Sequence, residues 1–362
     1  MADISPIRSL SLHAPHRRAP ADRLRAMLET VADDELPDEY GRGGRVAVLE
    51  ARVAELLGKE AAVLMPTGGM ASQVALRLHA DARSSRTVGF HPRAHVEVHE
   101  RKGYAVVHGL VGRLLGDHDW LLELADLEAV PEPLAAVLWE LPQRDLGGRL
   151  PEWDDLVAQT SCLGERGGAR HLDGARLWEA QPYYGRPHAE IAELFDTVYV
   201  SLYKGLGGLG GALLAGPAAL VEQARDWRAR LGGQIYHAWP MAVTAEHGLD
   251  RWLPRMPAYW QRARELAIEF AQLDGVDVVP AVPQTPLFHV HLHVPRAALD
   301  QAHSAHVDEG GLHLYLYSRS TTNPAWSRFE VTVGEQAMEI DVTDVRAAVR
   351  SVLHRARSVG PT

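Results

Sequence analysis

The sequence has a single cysteine and no long apolar run. Cys162 is the one cysteine among 362 residues, so the chain cannot form an intrachain disulfide or a metal site built from several cysteines. A lone cysteine is typical of a reducing compartment, and we expect a cytoplasmic protein. No segment approaches about 18 uninterrupted apolar residues, and the first residues lack the apolar core of a signal peptide. We therefore expect no membrane-spanning and no secretory segment.

Basic residues are also in the minority. Lysine and arginine number 37 against 47 aspartate and glutamate, which gives a net charge of −10. Nucleic acids and anionic membranes repel a protein of the same sign, so we expect neither as a partner. With 46% hydrophobic and 23% charged residues the composition is that of a globular protein. Its length exceeds what one core of about 250–300 residues supports, which favours two domains.

Apolar runs alternate with helical patterns over the first 250 residues. The runs that favour strands are 61–65, 135–139, 197–202 and 212–215, and helices are predicted at 44–57, after the turn at 66–72, and at 220–231. This alternation indicates a mostly parallel sheet covered by helices. We therefore expect an α/β large domain over 1–250.

The pattern changes near Trp252. A long helix through Leu273 is predicted, followed by strands at 276–279, 287–294, 312–316 and 328–333 and by helices at 296–306 and from Val342. We expect this part, 251–362, to form a smaller α+β domain.

Lys204 follows one of the apolar runs and begins a glycine-rich turn, Lys204-Gly205-Leu206-Gly207-Gly208. Strand ends in parallel sheets border the crevice where ligands bind, and glycines let a bulky ring approach the backbone. A lysine amine can form a Schiff base with an aldehyde. The alternative interpretation is a solvated loop cation.

Asp173 follows another apolar approach, 169–172, and precedes a Gly-Ala-Arg turn. A buried carboxylate there can hold a pyridine nitrogen protonated, which keeps the ring an electron sink. The alternative is a helix N-cap. Taken together, Lys204 and Asp173 predict pyridoxal 5′-phosphate chemistry.

Thr67-Gly68-Gly69 lies between a predicted strand and a predicted helix. The hydroxyl and the amides of such a turn can hold a phosphate at the positive end of the helix. Alone this is a weak motif, and it gains weight because a phosphate-bearing cofactor is already indicated.

Three histidines, His91, His95 and His99, are spaced by four and would share one face of a helix. A zinc site is disfavoured because no acidic partner lies in register, and we expect no metal. A ring-stacking or acid–base histidine is the favoured function, with surface or packing histidines as the alternative.

Arg328 begins an apolar strand in the second part of the chain. Its guanidinium suits bidentate binding of an amino-acid α-carboxylate, and a surface salt bridge is the alternative.

Three stretches, 56–68, 171–177 and 201–207, resemble the pyridoxal-phosphate-dependent threonine aldolase and β-eliminating lyase family, which has the aspartate aminotransferase fold. The resemblance runs from about Asp38 to the C-terminus. It implies that Lys204 carries the internal aldimine and that Asp173 binds the pyridine nitrogen.

The resemblance implies further roles at matching positions. Arg176 would lie close to the phenolic oxygen of the cofactor, His95 would stack on its ring, Thr67 and Gly68 would hold its phosphate, and Arg328 would bind the substrate carboxylate. It also implies a homodimer or homotetramer with sites at the subunit interface.

The chain departs from the family pattern at four places. Ser11 keeps the place of a serine that helps bind the carboxylate, in a segment with little likeness. Gln143 stands where the family has a proposed base histidine. Tyr236, followed by His237, stands in a loop that usually lends an arginine to the neighbouring subunit, and Tyr203 replaces a common serine.

These features predict a lyase that cleaves a β-hydroxy-α-amino acid, threonine-like or bulkier, into glycine and an aldehyde. His99 and His237 are the candidate bases in place of the missing histidine. β-Elimination or other Cα chemistry is the alternative reaction, and a non-catalytic protein of the same fold is a third possibility.

Overall fold

The computed structural model describes residues 9–10 and 20–358. Ser11 lies outside the described residues. The chain forms two compact units: one contains residues 20–146 and Leu150–Pro254, and the other contains Gly147–Arg149, the chain from Arg255 onward, and Ser9 and Leu10. No helix in the described part is long and apolar enough to cross a membrane.

The larger unit is built on a seven-stranded sheet. Its strands are β1 (Ala61–Met65), β2 (Thr87–Phe90), β3 (Val111–Leu114), β4 (Ala136–Glu140), β5 (Ala169–Gly174), β6 (Thr197–Ser201) and β7 (Ala212–Gly216). Their order is β1-β7-β6-β5-β4-β2-β3, and β7 alone runs antiparallel to its neighbours within this sheet. The predicted mostly parallel sheet is confirmed.

Helices surround this sheet. They are α1 (Pro20–Leu28), α2 (Gly44–Leu56), α3 (Gly68–Ala82), α4 (His95–Val98), α5 (Gly103–Val106), α6 (Leu124–Glu128), α7 (Trp153–Glu165), α8 (Leu177–Tyr184), α9 (His188–Glu193), α10 (Ala218–Arg230) and α11 (Trp239–Arg251). All five residues of β6 are buried, as expected of a parallel strand covered on both faces. On one face, Val74 and Leu78 of α3 and Val221 of α10 pack with Met65 and Leu214.

The predicted helix–strand–turn–helix succession at residues 44–82 is confirmed. The helix α2 is followed by Gly58, whose φ of 60° lies in the left-handed region that favours glycine after a helix. β1 follows, and Thr67 caps α3. This order places the Thr-Gly-Gly turn at the end of a buried strand.

The second unit contains a four-stranded antiparallel sheet in the order β10-β11-β9-β8. Its elements are α12 (Met256–Ala271), β8 (Val276–Val279), β9 (Leu287–Leu292), α13 (Arg296–Asp308), β10 (Ser318–Ser320), β11 (Ser327–Thr332), α14 (Glu335–Met338) and α15 (Val342–Ser358). Phe270 of α12 lies against Phe288 of β9, with ring centroids 6.0 Å apart. Arg328 and Glu330 alternate with the buried Phe329 and so face away from the helices.

One sequence-based expectation was confirmed in this region and another was wrong. The helix expected from about Trp252 through Leu273 forms as α12, although it begins only at Met256, after a short 3₁₀ helix, Leu253–Arg255. Pro254 explains the late start, since proline lacks an amide donor and disfavours helical geometry in the preceding residue.

The strand expected at 312–316 does not form, and the strand lies at Ser318–Ser320 instead. The backbone amide of Leu314 donates to Nε2 of His303 at 3.0 Å, so it is not available to a neighbouring strand. The ring of Tyr315 stacks on Phe329 at 4.8 Å. The apolar pattern at 312–316 therefore reflects side-chain packing and not the backbone hydrogen bonds of a strand.

Candidate active site

The site is built where neighbouring strands of the large sheet end. Glu140 is the last residue of β4, Asp173 lies directly opposite it in β5, and Lys204 follows the end of β6 by three residues. Parallel strands present their carboxyl ends at one edge of the sheet, which is where ligands bind in this class of fold. The chain topology thus gathers three ionisable groups from distant parts of the sequence.

Asp173 is a buried carboxylate, only 3% exposed. Its Oδ1 accepts the amide of Ala175 at 3.0 Å. It is not a helix cap, since α8 begins at Leu177 with Arg176 in the capping position. Burial raises the pKa of Asp173, while the positive charges of Lys204 and His95 oppose that shift. A cationic ring nitrogen placed against this carboxylate would favour its ionised form.

Lys204 is half-buried at the start of the glycine-rich turn. Burial lowers the pKa of its amine, and the charge of Asp173 partly offsets this. A lowered pKa increases the fraction of neutral, nucleophilic amine, which is the form that attacks an aldehyde. Asp173 and Lys204 are thus electrostatically coupled.

Glu179 forms a buried support beneath the lysine turn. A Cβ atom added to Gly205 would lie 2.8 Å from Cδ of Glu179, so the turn rests against this carboxylate. Arg176 donates from Nη1 to Oε1 of Glu179 at 3.0 Å. Burial raises the pKa of Glu179, and the positive charge of Arg176 offsets only part of this rise. Glu179 therefore fixes Arg176, the residue that the resemblance places near the cofactor.

The Thr-Gly-Gly turn forms the beginning of α3. Oγ1 of Thr67 accepts the amide of Met70 at 3.2 Å, which caps the helix. A Cβ atom on Gly68 would lie 1.9 Å from Oη of Tyr199, a residue of β6 opposite Asp173. Glycine is required here because the tyrosine hydroxyl occupies the space, and the helix end has the polarity that suits an anion.

His95 is held by two carboxylates. Its Nδ1 lies 3.0 Å from Oε1 of Glu100, and its backbone amide donates to Oε2 of Glu140 at 3.0 Å. Gln73 donates to the other oxygen of Glu100 at 2.7 Å. The hydrogen bond to Glu100 raises the pKa of His95. Burial opposes this rise, and the negative charge of Asp173 supports it. The imidazole is therefore fixed in orientation at the same cluster as Asp173 and Lys204.

Glu140 carries a strongly perturbed carboxyl. Burial, followed by the charge of Asp173, raises its pKa to about 7. Its oxygens accept the amides of His95 and Arg144, and Nε2 of Gln143 lies 3.3 Å from Oε2. Gln143 is itself buried and also donates to the carbonyl of Arg93 at 3.1 Å. Gln143 thus holds Glu140 in place and offers no basic nitrogen.

The three histidines spaced by four do not share a helix face, because α4 covers only His95–Val98. Nε2 of His91 lies 2.9 Å from the carbonyl of Asp117, and Nε2 of His99 lies 2.9 Å from Oδ2 of Asp145. In the described ranges, 9–10 and 20–358, no group of three or more histidine, cysteine or acidic residues could hold a metal ion.

His237 lies at the start of α11. Its Nδ1 donates to the carbonyl of Asp38 at 2.6 Å, and its ring lies 4.0 Å from that of Tyr236. The carboxylate of Asp38 accepts the amides of Ala238 and Trp239. These bonds show that His237 helps to hold the chain at Asp38 against the beginning of α11. The other candidate base, His99, lies beside His95, with ring centroids 5.0 Å apart.

Arg328 belongs to the second unit. Its Nη1 lies 3.3 Å from Nδ1 of His289, which is buried opposite Glu330 in the β9–β11 pairing. Since arginine only donates, Nδ1 of His289 is the acceptor. Arg328 is therefore a half-buried residue with an ordered neighbour and not an isolated surface cation.

A model of the beta-eliminating lyase family matches residues 20–293, well over half of the chain. The chain belongs to the beta-eliminating lyase family.

Relatives of this chain include low-specificity L-threonine aldolase 1 of Arabidopsis thaliana, which is 26% identical over 93% of this chain and 94% of its own length. The low specificity L-threonine aldolase of Escherichia coli K12 is 30% identical over 70% of this chain and 78% of its own. A solved structure from Listeria monocytogenes, described as a candidate L-allo-threonine aldolase, superposes with a TM-score of 0.91 and 35% identity, covering 97% of this chain and 96% of that one.

These similarities confirm the predicted fold class and the predicted family. The roles assigned to individual site residues remain predictions. The structure adds Glu140, Glu179, Glu100 and Tyr199 to the cluster, none of which the sequence analysis named. Only Glu140 carried a usable signal, since it ends an apolar run as Asp173 does.

Proposed function

We propose that this chain is a pyridoxal-phosphate-dependent lyase that cleaves a β-hydroxy-α-amino acid into glycine and an aldehyde. The observation that carries the proposal is the pairing of Lys204 with the buried carboxylate of Asp173 at adjacent strand ends. The relatives named as threonine aldolases support the choice of reaction.

The residues present fit pyridoxal phosphate. Asp173 is a buried acceptor suited to a protonated ring nitrogen, and Lys204 beside it has the lowered pKa of a nucleophilic amine. Thr67, Gly68 and Gly69 would hold the phosphate at the end of α3. His95 would lie on the ring, and Arg176, fixed by Glu179, would approach its phenolic oxygen.

When bound, the cofactor serves as an electron sink for the pair left on Cα after the Cα–Cβ bond breaks. The chain supplies orientation and proton transfer. Arg328 would bind the substrate carboxylate through two of its three guanidinium nitrogens, which fixes the amino acid at one end. A base must then take the β-hydroxyl proton as the bond breaks, and His99 is the candidate that lies beside His95.

β-Elimination is the second candidate reaction, because Gln143 stands where the family has a base histidine and its amide cannot take a proton from a β-hydroxyl. In β-elimination the substrate would instead lose a leaving group from Cβ. A substrate panel separates the two reactions. Incubation with L-threonine and L-phenylserine is expected to release glycine with acetaldehyde or benzaldehyde. Pyruvate and ammonia from β-chloroalanine, without aldehyde from the other two, would overturn the aldolase assignment.

We also propose that the enzyme works in the cytoplasm as a homodimer or homotetramer, as the family resemblance implies. Light scattering after size-exclusion chromatography measures the oligomeric state directly. With a chain mass of 39.8 kDa, a monomer peak at micromolar concentration would contradict the proposed assembly.

A further inference from the structure

His99 and Asp145 form a histidine–carboxylate pair at the edge of the candidate site. Nε2 of His99 lies 2.9 Å from Oδ2 of Asp145. Asp145 is buried, with 7% of its surface exposed, in the short 3₁₀ helix Arg144–Leu146 that follows β4. The side chain of His99 is 22% exposed, so it is not sealed in the core.

The carboxylate determines which nitrogen of His99 carries the proton. An ionised carboxylate only accepts hydrogen bonds, so Nε2 of the neutral imidazole is the donor and Nδ1 keeps the lone pair. The aspartate of a serine-protease triad orients its histidine in the same way. The pair therefore has the arrangement of an oriented general base.

The position of His99 is tied to the site through His95. The two rings have centroids 5.0 Å apart and planes inclined by 46°. His95 bonds Glu100 through Nδ1, whereas His99 bonds Asp145 through Nε2. The two histidines thus bond separate carboxylates through different ring nitrogens. This lets them divide the work: His95 would lie beside the cofactor ring, and His99 would accept a proton.

We propose that His99, oriented by Asp145, is the general base that replaces the missing histidine at Gln143. This inference rests on the proposed aldolase function. In the cleavage step the β-hydroxyl proton moves to Nδ1 of His99, and the O–H electron pair forms the aldehyde carbonyl. The Cα–Cβ bond breaks with its electron pair left on Cα, which later takes a proton to give glycine. His99 is the catalytic residue and Asp145 is a positioning residue.

The test uses the purified holoenzyme and its variants His99→Phe and Asp145→Asn. We expect His99→Phe to lower kcat for L-phenylserine cleavage about 10²–10⁴-fold, the usual contribution of a general base, with KM changed less than about threefold. Asp145→Asn should lower kcat about 10–10³-fold, because an amide can present its N–H groups to Nε2 and favour the wrong tautomer.

A second reaction separates a lost base from a damaged site. Exchange of the glycine α-proton in D₂O needs the cofactor and Lys204 but no β-hydroxyl proton transfer, so both variants should retain it within about threefold of the unmodified enzyme.

A matched control exists in the second unit, where His293 and Asp277 form a pair of the same kind at 2.7 Å. His293→Phe and Asp277→Asn should leave both reactions unchanged. Two results would overturn the assignment of His99 as the base while leaving the proposed function intact. The first is cleavage by His99→Phe within about twofold of the unmodified enzyme, and the second is an equal loss of cleavage and glycine exchange. If the unmodified enzyme cleaves no β-hydroxy-α-amino acid, the proposed function fails and this inference fails with it.

Discussion

The raised pKa of Glu140 gives a pH-dependent stability that can be measured in the protein freed of its cofactor. The carboxyl has a pKa of about 7 in the folded chain, against an ordinary value of 4.5. Between these two pH values the folded state holds a proton that the unfolded state has released. The stabilisation from this group is therefore complete below about pH 4.5 and is lost as the pH rises through about 7.

The size of the effect follows from the two values. At about 1.36 kcal/mol per pH unit, the difference between 4.5 and about 7 corresponds to about 3 kcal/mol. Glu140 is only half-buried and interacts with Asp173, which titrates with it, so we expect about 1–3 kcal/mol. Glu140→Gln removes this titration and adds a nearly constant penalty of about 1 kcal/mol, because its amide nitrogen meets a backbone donor.

The assay is urea unfolding of the unmodified chain and Glu140→Gln, stripped with hydroxylamine, at pH 5 and pH 8.5. We compare the unfolding free energy of Glu140→Gln with that of the unmodified chain at each pH. Relative to the unmodified chain, the variant should be about 1–3 kcal/mol more stable at pH 8.5 than it is at pH 5. Glu128→Gln, on an exposed glutamate, controls for the loss of one surface charge. A difference that is equal at the two pH values within about 0.5 kcal/mol would refute the perturbed pKa.

Three further predictions concern the site. Asp173→Asn should lower kcat at least about tenfold and weaken cofactor retention on dialysis, since the ring nitrogen loses its anionic partner, and unchanged turnover would contradict that role. Gly68→Ala should lower the Tm by several degrees in calorimetry, because its Cβ would lie 1.9 Å from the buried hydroxyl of Tyr199 and overpacking costs about 1–3 kcal/mol; an unchanged Tm would show that Tyr199 moves freely. Arg328→Lys should raise KM about 10–100-fold with a smaller change in kcat, because the bidentate contact is lost, and an unchanged KM would remove Arg328 from carboxylate binding.

Much of the large sheet was predictable because its strands are buried on both faces and appear in the sequence as short apolar runs. Lys204 and Asp173 could be located for the same reason, since each follows such a run. The turn at Thr67 was predictable from its glycines and from the helix pattern that follows.

The supporting carboxylates could not be predicted, because their partners are distant in the sequence. Asp145 lies 46 residues from His99, and nothing local marks the pair. Glu179 is three residues from Arg176, but its burial depends on the turn at Gly205, which packs against it only in the folded chain. The late start of α12 is different, since Pro254 was visible in the sequence and the apolar period around it outweighed it.

Covalent binding of pyridoxal phosphate by Lys204 can be tested directly, because the chain has only three lysines, Lys59, Lys102 and Lys204. Lys59 donates to the carbonyl of Phe195 at 2.6 Å, and Lys102 is an exposed partner of Glu97. The holoenzyme should absorb near about 420 nm, as expected of a lysine Schiff base, and lose that band in Lys204→Ala but not in Lys102→Ala. Borohydride reduction followed by peptide mass analysis should place the cofactor on Lys204. A label on Lys59 or Lys102, or a colourless protein that cannot be reconstituted with pyridoxal phosphate, would contradict the role of Lys204.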